Sequence, residues 1–276
     1  MADRGVAGAL NAERIAEGVL PAVRPQLRRV TVLEQVGSTN TELARLPSAE
    51  QHAHALLAEA QSAGRGRGAR HWHSPPGGNI YLSLGWRFRA LGPDRAALPL
   101  VVAVAVSEAL AAAGLQGAGI KWPNDILVDA RKLAGILVES QGRGAAGVSI
   151  IAGVGINVRM NRAGGDAAIG QPWTDLESCL PASRRPVDRN RLAAALLDRL
   201  LVAFERFEHA GFSGFRARYE ALDLLAGRAL SLEDGEREVC GVGGGIDETG
   251  RLRLVLPDGG TRAFHAGEVR LHSVAA

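Results

Sequence analysis

The sequence predicts an α+β fold: a mixed, largely antiparallel sheet with packed helices, followed by a small C-terminal β-barrel. Three successive strand-like segments between Gly119 and Val158 are joined by turns too short for a crossover, which demands antiparallel pairing. Residues 98–115 and 188–209 have the length and apolar pattern of packed helices. Beyond Leu225 the texture changes to short β-like pieces separated by Asp-Gly turns. The boundary is expected between 223 and 224, so that residues 1–223 form one domain and 224–276 a second.

Residues 10–19 carry helical spacing at Leu10, Ile15 and Val19, with Asn11 placed to cap the helix and Pro21 and Pro25 to end it. Residues 29–36 are rich in β-branched side chains and predict a strand, after which Gly37-Ser38-Thr39-Asn40 leads into a short helix through Leu46. Ser38, Thr39 or Asn40 can cap that helix, and polar groups at a strand-to-helix turn can also face a ligand. Residues 55–60 are expected to form a strand despite a helix-friendly composition, because they must deliver the chain quickly to the glycine-rich loop that follows. In 80–88, Ile80, Leu82 and Leu84 alternate with Tyr81 and Ser83, a strand pattern.

The most hydrophobic run, 98–115, holds Pro99, Ser107 and Glu108 and suits a buried helix closed by Gly114 better than a bilayer span. Residues 119–128 form a strand broken by Trp122-Pro123-Asn124-Asp125, and strands at 132–139 and 149–158 follow. Glycine weakens a strand unless something lies close to the backbone, so Gly135, Gly153 and Gly155 line either a flat ligand or a packed helix, and Asn157 ends the strand with a polar side chain. Leu192, Leu196, Leu197, Leu200, Phe204 and Phe207 mark the long amphipathic helix, with a second helix expected at 212–222. The terminal β pieces are expected at 229–232, 237–242, 251–256 and 261–269.

A hydrophobic content of 46% with 22% charged residues is that of a soluble globular chain, and a formal charge of +3 is too small to imply nucleic-acid binding by itself. The N-terminus lacks a secretory pattern, so a cytoplasmic location and no membrane association are expected. Cys179 and Cys240 are far apart and imply neither a disulfide framework nor a zinc site; His71 and His73, without a third ligand nearby, belong to a polar loop.

Basic residues concentrate in one stretch, Gln61 to Arg70, where Arg65, Arg67 and Arg70 alternate with Gly64, Gly66 and Gly68. Glycine lets a ligand approach the backbone closely, and guanidinium forks match carboxylate and phosphate, so this loop is suited to hold anions. Of the 32 basic residues only Lys121 and Lys132 are lysine, and they fall within one short segment. A chain that otherwise uses arginine marks these two as candidates for chemistry needing a compact ammonium. Neither a P-loop nor a dinucleotide-binding glycine pattern is present.

Four separated pieces remain: Gly-Ser-Thr-Asn at 37–40; Gln61 with Gly-Arg-Gly-Arg at 64–67; Lys-Trp-Pro-Asn-Asp at 121–125 with Arg-Lys-Leu-Ala-Gly-Ile-Leu-Val-Glu at 131–139; and Gly-Val-Gly-Ile-Asn-Val at 153–158. In this order and spacing the chain resembles biotin protein ligase of the monofunctional type, over nearly its whole length. The resemblance implies a class II synthetase-like (biotinyl/lipoyl ligase-like) catalytic fold with an SH3-like C-terminal barrel. It implies that biotin and MgATP give biotinyl-5'-AMP, and that biotin then passes to one lysine of a biotin carboxyl carrier domain of a biotin-dependent carboxylase.

By the same resemblance Lys132 contacts the biotin carboxylate and the bridging phosphate region, and Arg65, Gly66 and Arg67 wrap the ligand, with Gly64 and Gly135 beside it. A carboxylate approaching a polyanion needs its repulsion screened, which Arg65, Arg67, Arg70, Lys121 and Lys132 can supply. Lys132, Arg67 and Lys121 are the expected catalytic set. Ser38, Thr39, Asn40 and Gln61 resemble the groups that read the ureido ring, which needs donors and acceptors. Asn124 and Asp125 are the candidates for positioning magnesium and triphosphate, with Asp125 the metal ligand. Trp173 is expected to stack on adenine, and Asn157 is counted among the expected binding residues.

Two departures from the family pattern stand out: Gly68-Ala69 precede Arg70 where a large polar residue and glycine are usual, and His272 stands where arginine is common. The chain starts almost directly at the catalytic domain, so no helix-turn-helix domain and no specific DNA binding are expected; homodimerisation through a sheet edge stays open. The competing readings are a lipoyl or octanoyl attachment enzyme, whose Arg-Arg-x-x-Gly-Gly-Gly-Ala-Val signature is absent, and an RNA-binding module, for which 4% aromatics and a single Arg/Gly motif are too few.

Overall fold

The computed structural model describes residues 8–144, 147–160, 169–235 and 237–272. Helix α1 (Ala12–Gly18) is capped as its sequence predicts, Asn11 accepting from Arg14 N–H. Strand β1 (Arg29–Val36) leads through helix α2 (Thr39–Ala44) and one further turn, α3 (Ser48–Gln51), to β2 (His54–Gln61). The alanine- and leucine-rich β2 is a strand because both its edges are paired: Leu57 sits between Val32 of β1, in parallel, and Leu82 of β3 (Ile80–Phe88), antiparallel. Sheet pairing overrides local helix preference here.

Helix α4 (Leu98–Ala112) has its proline in the first turn, where no amide bond is lost, and Gly114 follows its end at φ +99°. Residues 93–112 are long and apolar enough to cross a membrane by length and composition, yet Val101 to Val106 are all buried inside the protein. That all-round apolarity reflects burial between the sheet and a second long helix. Strands β4 (Ala118–Lys121), β5 (Asp125–Val128), β6 (Arg131–Gly144) and β7 (Gly147–Ile156) complete a seven-stranded sheet in the order β1-β2-β3-β7-β6-β5-β4, in which β1–β2 is the parallel pair.

After the short α5 (Leu176–Cys179), α6 (Arg189–Ala210) is started by Asp188, whose carboxylate accepts from the amides of Asn190 and Arg191. The six apolar positions that predicted α6 are buried, and Phe204 and Phe207 meet Trp86 and Phe88 of β3 in an aromatic cluster. The helix expected at 212–222 is instead a 3-10 turn at Phe212–Gly214 and a short α7 (Arg216–Glu220).

A second, antiparallel sheet holds β8 (Ala229–Asp234), β9 (Arg237–Ile246), β10 (Leu252–Val255), β11 (Thr261–Phe264) and β12 (Glu268–Leu271), in the order β11-β10-β9-β8-β12. The run expected as one strand at 261–269 splits into β11 and β12 because Gly267, at φ +152°, packs against Leu232, where a side chain would collide. Trp122 donates its indole N–H to Gly250 O at 3.1 Å, and Gly250 is so close to Ala97 that an added Cβ would lie 2.6 Å from its methyl. The small sheet is therefore seated on the Lys-Trp-Pro-Asn-Asp segment and the start of α4.

In the connection between the sheets, Asp223 accepts from Leu225 N–H with one oxygen, while its other oxygen is buried with no hydrogen-bond partner among the described residues. Burial pushes this carboxyl above the usual range, opposed by the amides of Leu225 and Ala226. A raised folded-state pKa stabilises below the ordinary value of 3.8 and loses that contribution as pH rises through the folded value. Asp223→Asn is therefore expected to raise the melting temperature at pH 7.5 and to leave it unchanged near pH 3; equal melting temperatures at both pH values would count against a strained buried carboxylate.

Candidate active site

Residues 64–72 form a tight hairpin against the sheet. Trp72 N–H donates to Gly64 O at 2.9 Å and Gly66 N–H to Arg70 O at 2.7 Å, around a turn at Arg67–Ala69 with Gly68 at φ +60°. Gly64 does not face the ligand space: a Cβ there would lie 2.5 Å from Trp72 O and 2.6 Å from Ser74 Oγ, so its glycine serves close packing of the hairpin. The three arginines tie the hairpin to three different places. Arg65 pairs with Glu139 of β6 at 2.6 Å, Arg70 with Glu268 of β12 at 3.2 Å, and Arg67 donates to Asn124 Oδ1 at 3.4 Å. Two of these partners are carboxylates and one is a neutral amide. Burial pulls the Arg67 guanidinium below its ordinary pKa and Arg70 pushes the same way, with Asp125 opposing.

Beneath the hairpin lies a narrow cavity of about 90 Å³. The N-terminus of α2 supplies Ser38, Thr39 and Asn40, all buried, and β2 supplies Gln61. Gln61 Oε1 accepts from the amide and hydroxyl of Thr39, so the side chain of Gln61 caps this helix and Ser38 does not. Ser83 Oγ lies 2.8 Å from Thr39 Oγ1 and 2.6 Å from Asn40 Oδ1, while Asn40 Nδ2 donates to Leu137 O and to Glu139 Oε2 at 2.8 Å. The strand glycines make this layer possible. A Cβ on Gly153 would lie 2.4 Å from Asn40 Oδ1, and Cβ atoms on Gly135 and Gly155 would lie 2.8 and 2.6 Å from the Trp72 ring. What lies flat on Gly135 and Gly155 is thus a side chain, the indole of Trp72, in place of the expected ligand or helix.

A wider cavity of about 370 Å³ adjoins the first, and Arg70, His71, Trp72, Lys132 and Gln171 line both. Asn157, Met160, Trp173 and Glu268 complete much of its wall. Three buried polar atoms on its lining residues have no partner among the described residues: Trp72 Nε1, His73 Nε2 and Asn157 Oδ1. Such atoms cost free energy unless a ligand or water satisfies them. The Asn157 amide is oriented by donation to Thr174 O at 3.1 Å and Lys132 O at 3.4 Å, which leaves its oxygen as the open acceptor.

Lys132 stands at the junction, with its side chain 14% exposed, Nζ 2.9 Å from Asp125 Oδ1 and 5.3 Å from the centre of the Trp72 ring. Its backbone is held by Pro172 O and Thr174 N–H, which brings Trp173 alongside. Lys121, opposite Asp125 in the β4–β5 register, lines neither cavity. Burial lowers the Lys121 amine; Asp125 opposes the shift and Lys132 adds to it. The structure thus gathers Ser38, Thr39, Asn40, Gln61, Arg65, Gly66, Arg67, Lys132 and Gly135 around one cavity and Asn157, Trp173 and Lys132 around the other, while Gly64, Asp125 and Lys121 line neither.

Sequence reasoning missed Trp72 and Glu139. The signal for Trp72 was a large aromatic beside strands emptied of side chains by glycine; for Glu139 it was the acid closing a segment that already carried Lys132. Among the described residues no cluster of three or more His, Cys, Asp or Glu is placed to hold a metal ion.

Residues 32–157 match the model of the biotin/lipoate A/B protein ligase family. Across 245 residues the chain is 39% identical to the bifunctional ligase/repressor BirA of Escherichia coli (strain K12), covering 88% of this chain and 74% of that protein. It is 35% identical over 250 residues to the biotin–acetyl-CoA-carboxylase ligase of Mycobacterium tuberculosis, covering 88% of each. The fold superposes on a biotin protein ligase from Aquifex aeolicus solved in complex with biotin and ATP, with a TM-score of 0.73 and 28% identity, over 89% of this chain and 99% of that one. Two adjoining cavities under an arginine hairpin, met by this degree of likeness along the chain, place it in the biotin/lipoate A/B protein ligase family, among the biotin protein ligases.

Proposed function

We propose that this protein joins biotin to ATP, giving biotinyl-5'-AMP and pyrophosphate, and then transfers the biotinyl group to a lysine of a biotin carboxyl carrier domain. The observation that carries this reading is the position of Lys132 where the narrow and the wide cavity meet. In the first step a biotin carboxylate oxygen attacks the α-phosphorus and the bond to pyrophosphate breaks. In the second the carrier lysine nitrogen attacks the acyl carbon, and AMP leaves with the electron pair of the acyl–oxygen bond.

On this reading biotin occupies the narrow cavity, its ureido group against Ser38, Thr39, Asn40 and Gln61, with Arg65, Gly66 and Arg67 folded over it. Adenine takes the wide cavity beside Trp173, where Asn157 Oδ1 accepts from its amino group. Lys132 faces the meeting point of carboxylate and α-phosphate and screens their repulsion. Lys121, paired across the strands with Asp125, acts by keeping that carboxylate from neutralising Lys132 completely. Asp125, which lines neither cavity but lies 2.9 Å from Lys132 Nζ at their junction, is the proposed ligand of a magnesium ion carried on ATP; the ion would neutralise charge on the leaving pyrophosphate. The division into a catalytic unit, 1–223, and a C-terminal unit, 224–276, belongs to the same proposal, as do a cytoplasmic location, the absence of specific DNA binding and of membrane association, and a possible homodimer.

The test is isotope exchange between pyrophosphate and ATP. Exchange that requires biotin is the expected result; exchange supported by lipoate or octanoate and not by biotin would overturn the assignment.

A further inference from the structure

The hairpin over the narrow cavity is held from outside by side chains alone, and its three arginines are not equivalent. Gly64 to Trp72 bond to one another through the backbone; the Trp72 indole seats the base of the hairpin on Gly135 and Gly155, and its outer part is tied down by what the arginines reach. Arg67 has a long bond to a neutral amide and a desolvated charge, which leaves it free to turn to an anionic ligand. Arg65 already has a carboxylate at 2.6 Å, that of Glu139.

Glu139 is connected in the other direction too. The same oxygen that meets Arg65 accepts from Asn40 Nδ2, and Asn40 is buried, wedged over Gly153 and within 2.6 Å of Ser83 Oγ. One carboxylate oxygen therefore joins the hairpin to the floor of the cavity, through a residue fixed by β3, β6 and β7. No other carboxylate is paired with Arg65 among the described residues.

We infer that Glu139 is a positioning residue: its ion pair with Arg65 latches the hairpin shut over the narrow cavity, and thereby retains the activated intermediate until acyl transfer. This rests on the proposed function for the nature of what is retained, while the latch itself is a property of the hairpin. A mixed anhydride is destroyed by water, so an enzyme that forms one needs a cover whose opening costs free energy. Because Arg65 and Glu139 are both partly exposed, the pair contributes as a screened surface pair and not as a buried one.

The experiment uses Glu139→Gln, whose amide oxygen can still accept from Asn40, and Arg65→Ala, which leaves Glu139 and Asn40 together. In the ligand-free protein, tryptic cleavage after Arg67 and Arg70 is expected to accelerate about fivefold in each variant, as the open population rises. Release of preformed biotinyl-adenylate, followed by stopped flow, is expected to accelerate by about the same factor. The double variant should be no worse than either single one, since both remove the same interaction. Wild-type cleavage rates in Glu139→Gln, or effects of the two substitutions that multiply, would overturn the latch. Failure of the wild-type enzyme to catalyse biotin-dependent exchange would overturn the functional reading and the retention role with it, whereas the proteolysis speaks to the hairpin with no ligand present.

Discussion

Lys132→Arg is expected to lower biotin-dependent pyrophosphate exchange by about 10²–10³-fold, the usual cost of losing one preorganised charge aimed at a transition state. The side chain of Lys132 is confined: Asp125 lies 2.9 Å from Nζ, the Trp72 ring covers it, and a Cβ at Gly135 would come 3.3 Å from its Cε. A compact ammonium fits between these groups and can point at the junction of the cavities. The planar guanidinium is wider, finds the Asp125 carboxylate as a bidentate partner, and turns away from the phosphate. Charge is conserved and geometry is lost. Exchange at near wild-type rate by a folded Lys132→Arg enzyme would show that position, and not the ammonium, is what the site needs, and would remove Lys132 from the proposed chemistry.

Arg67→Gly is expected to speed the loss of biotinyl-adenylate by about 10–100-fold, the range for losing one hydrogen bond to a charged group. Among the described residues Arg67 has no carboxylate partner like those of Arg65 and Arg70, and its charge is held in a desolvated position where Arg70 opposes it. That arrangement costs free energy without an anion and returns it when a phosphate or carboxylate arrives, so the loss should appear in retention of the anionic intermediate. Stopped-flow release from the two enzymes measures it directly, and identical rates would place the anion elsewhere. The comparison with Glu139→Gln separates two jobs within one hairpin: ligand contact at Arg67, and attachment at Arg65.

Much of the architecture was legible along the chain because it depends on local pattern. The spacing of Leu192 to Phe207 fixes the buried face of α6, Asn11 and Asp188 cap their helices, and the short turns between 119 and 158 allow only antiparallel strands. Lys132, Arg67 and the α2 residues were legible as well, since their residue types and motif order are recorded in sequence. The places where the reading needed correction are those where distant segments meet. Whether 212–222 continues as one helix, or 261–269 as one strand, is decided by what each packs against.

The site repeats that lesson at the level of single atoms. Sequence alone determined that this chain carries an arginine-glycine loop, two lysines in one segment and strands thinned by glycine. It could not say that the indole of Trp72 fills the space those glycines leave, that Gly64 serves the hairpin's own packing, that Lys121 lines neither cavity, or that Glu139 meets both Arg65 and Asn40. The two Glu139 contacts join residues 74 and 99 positions apart. The partner of a charged side chain is set by which strands become neighbours, and the order β3-β7-β6 exists only once the sheet has formed.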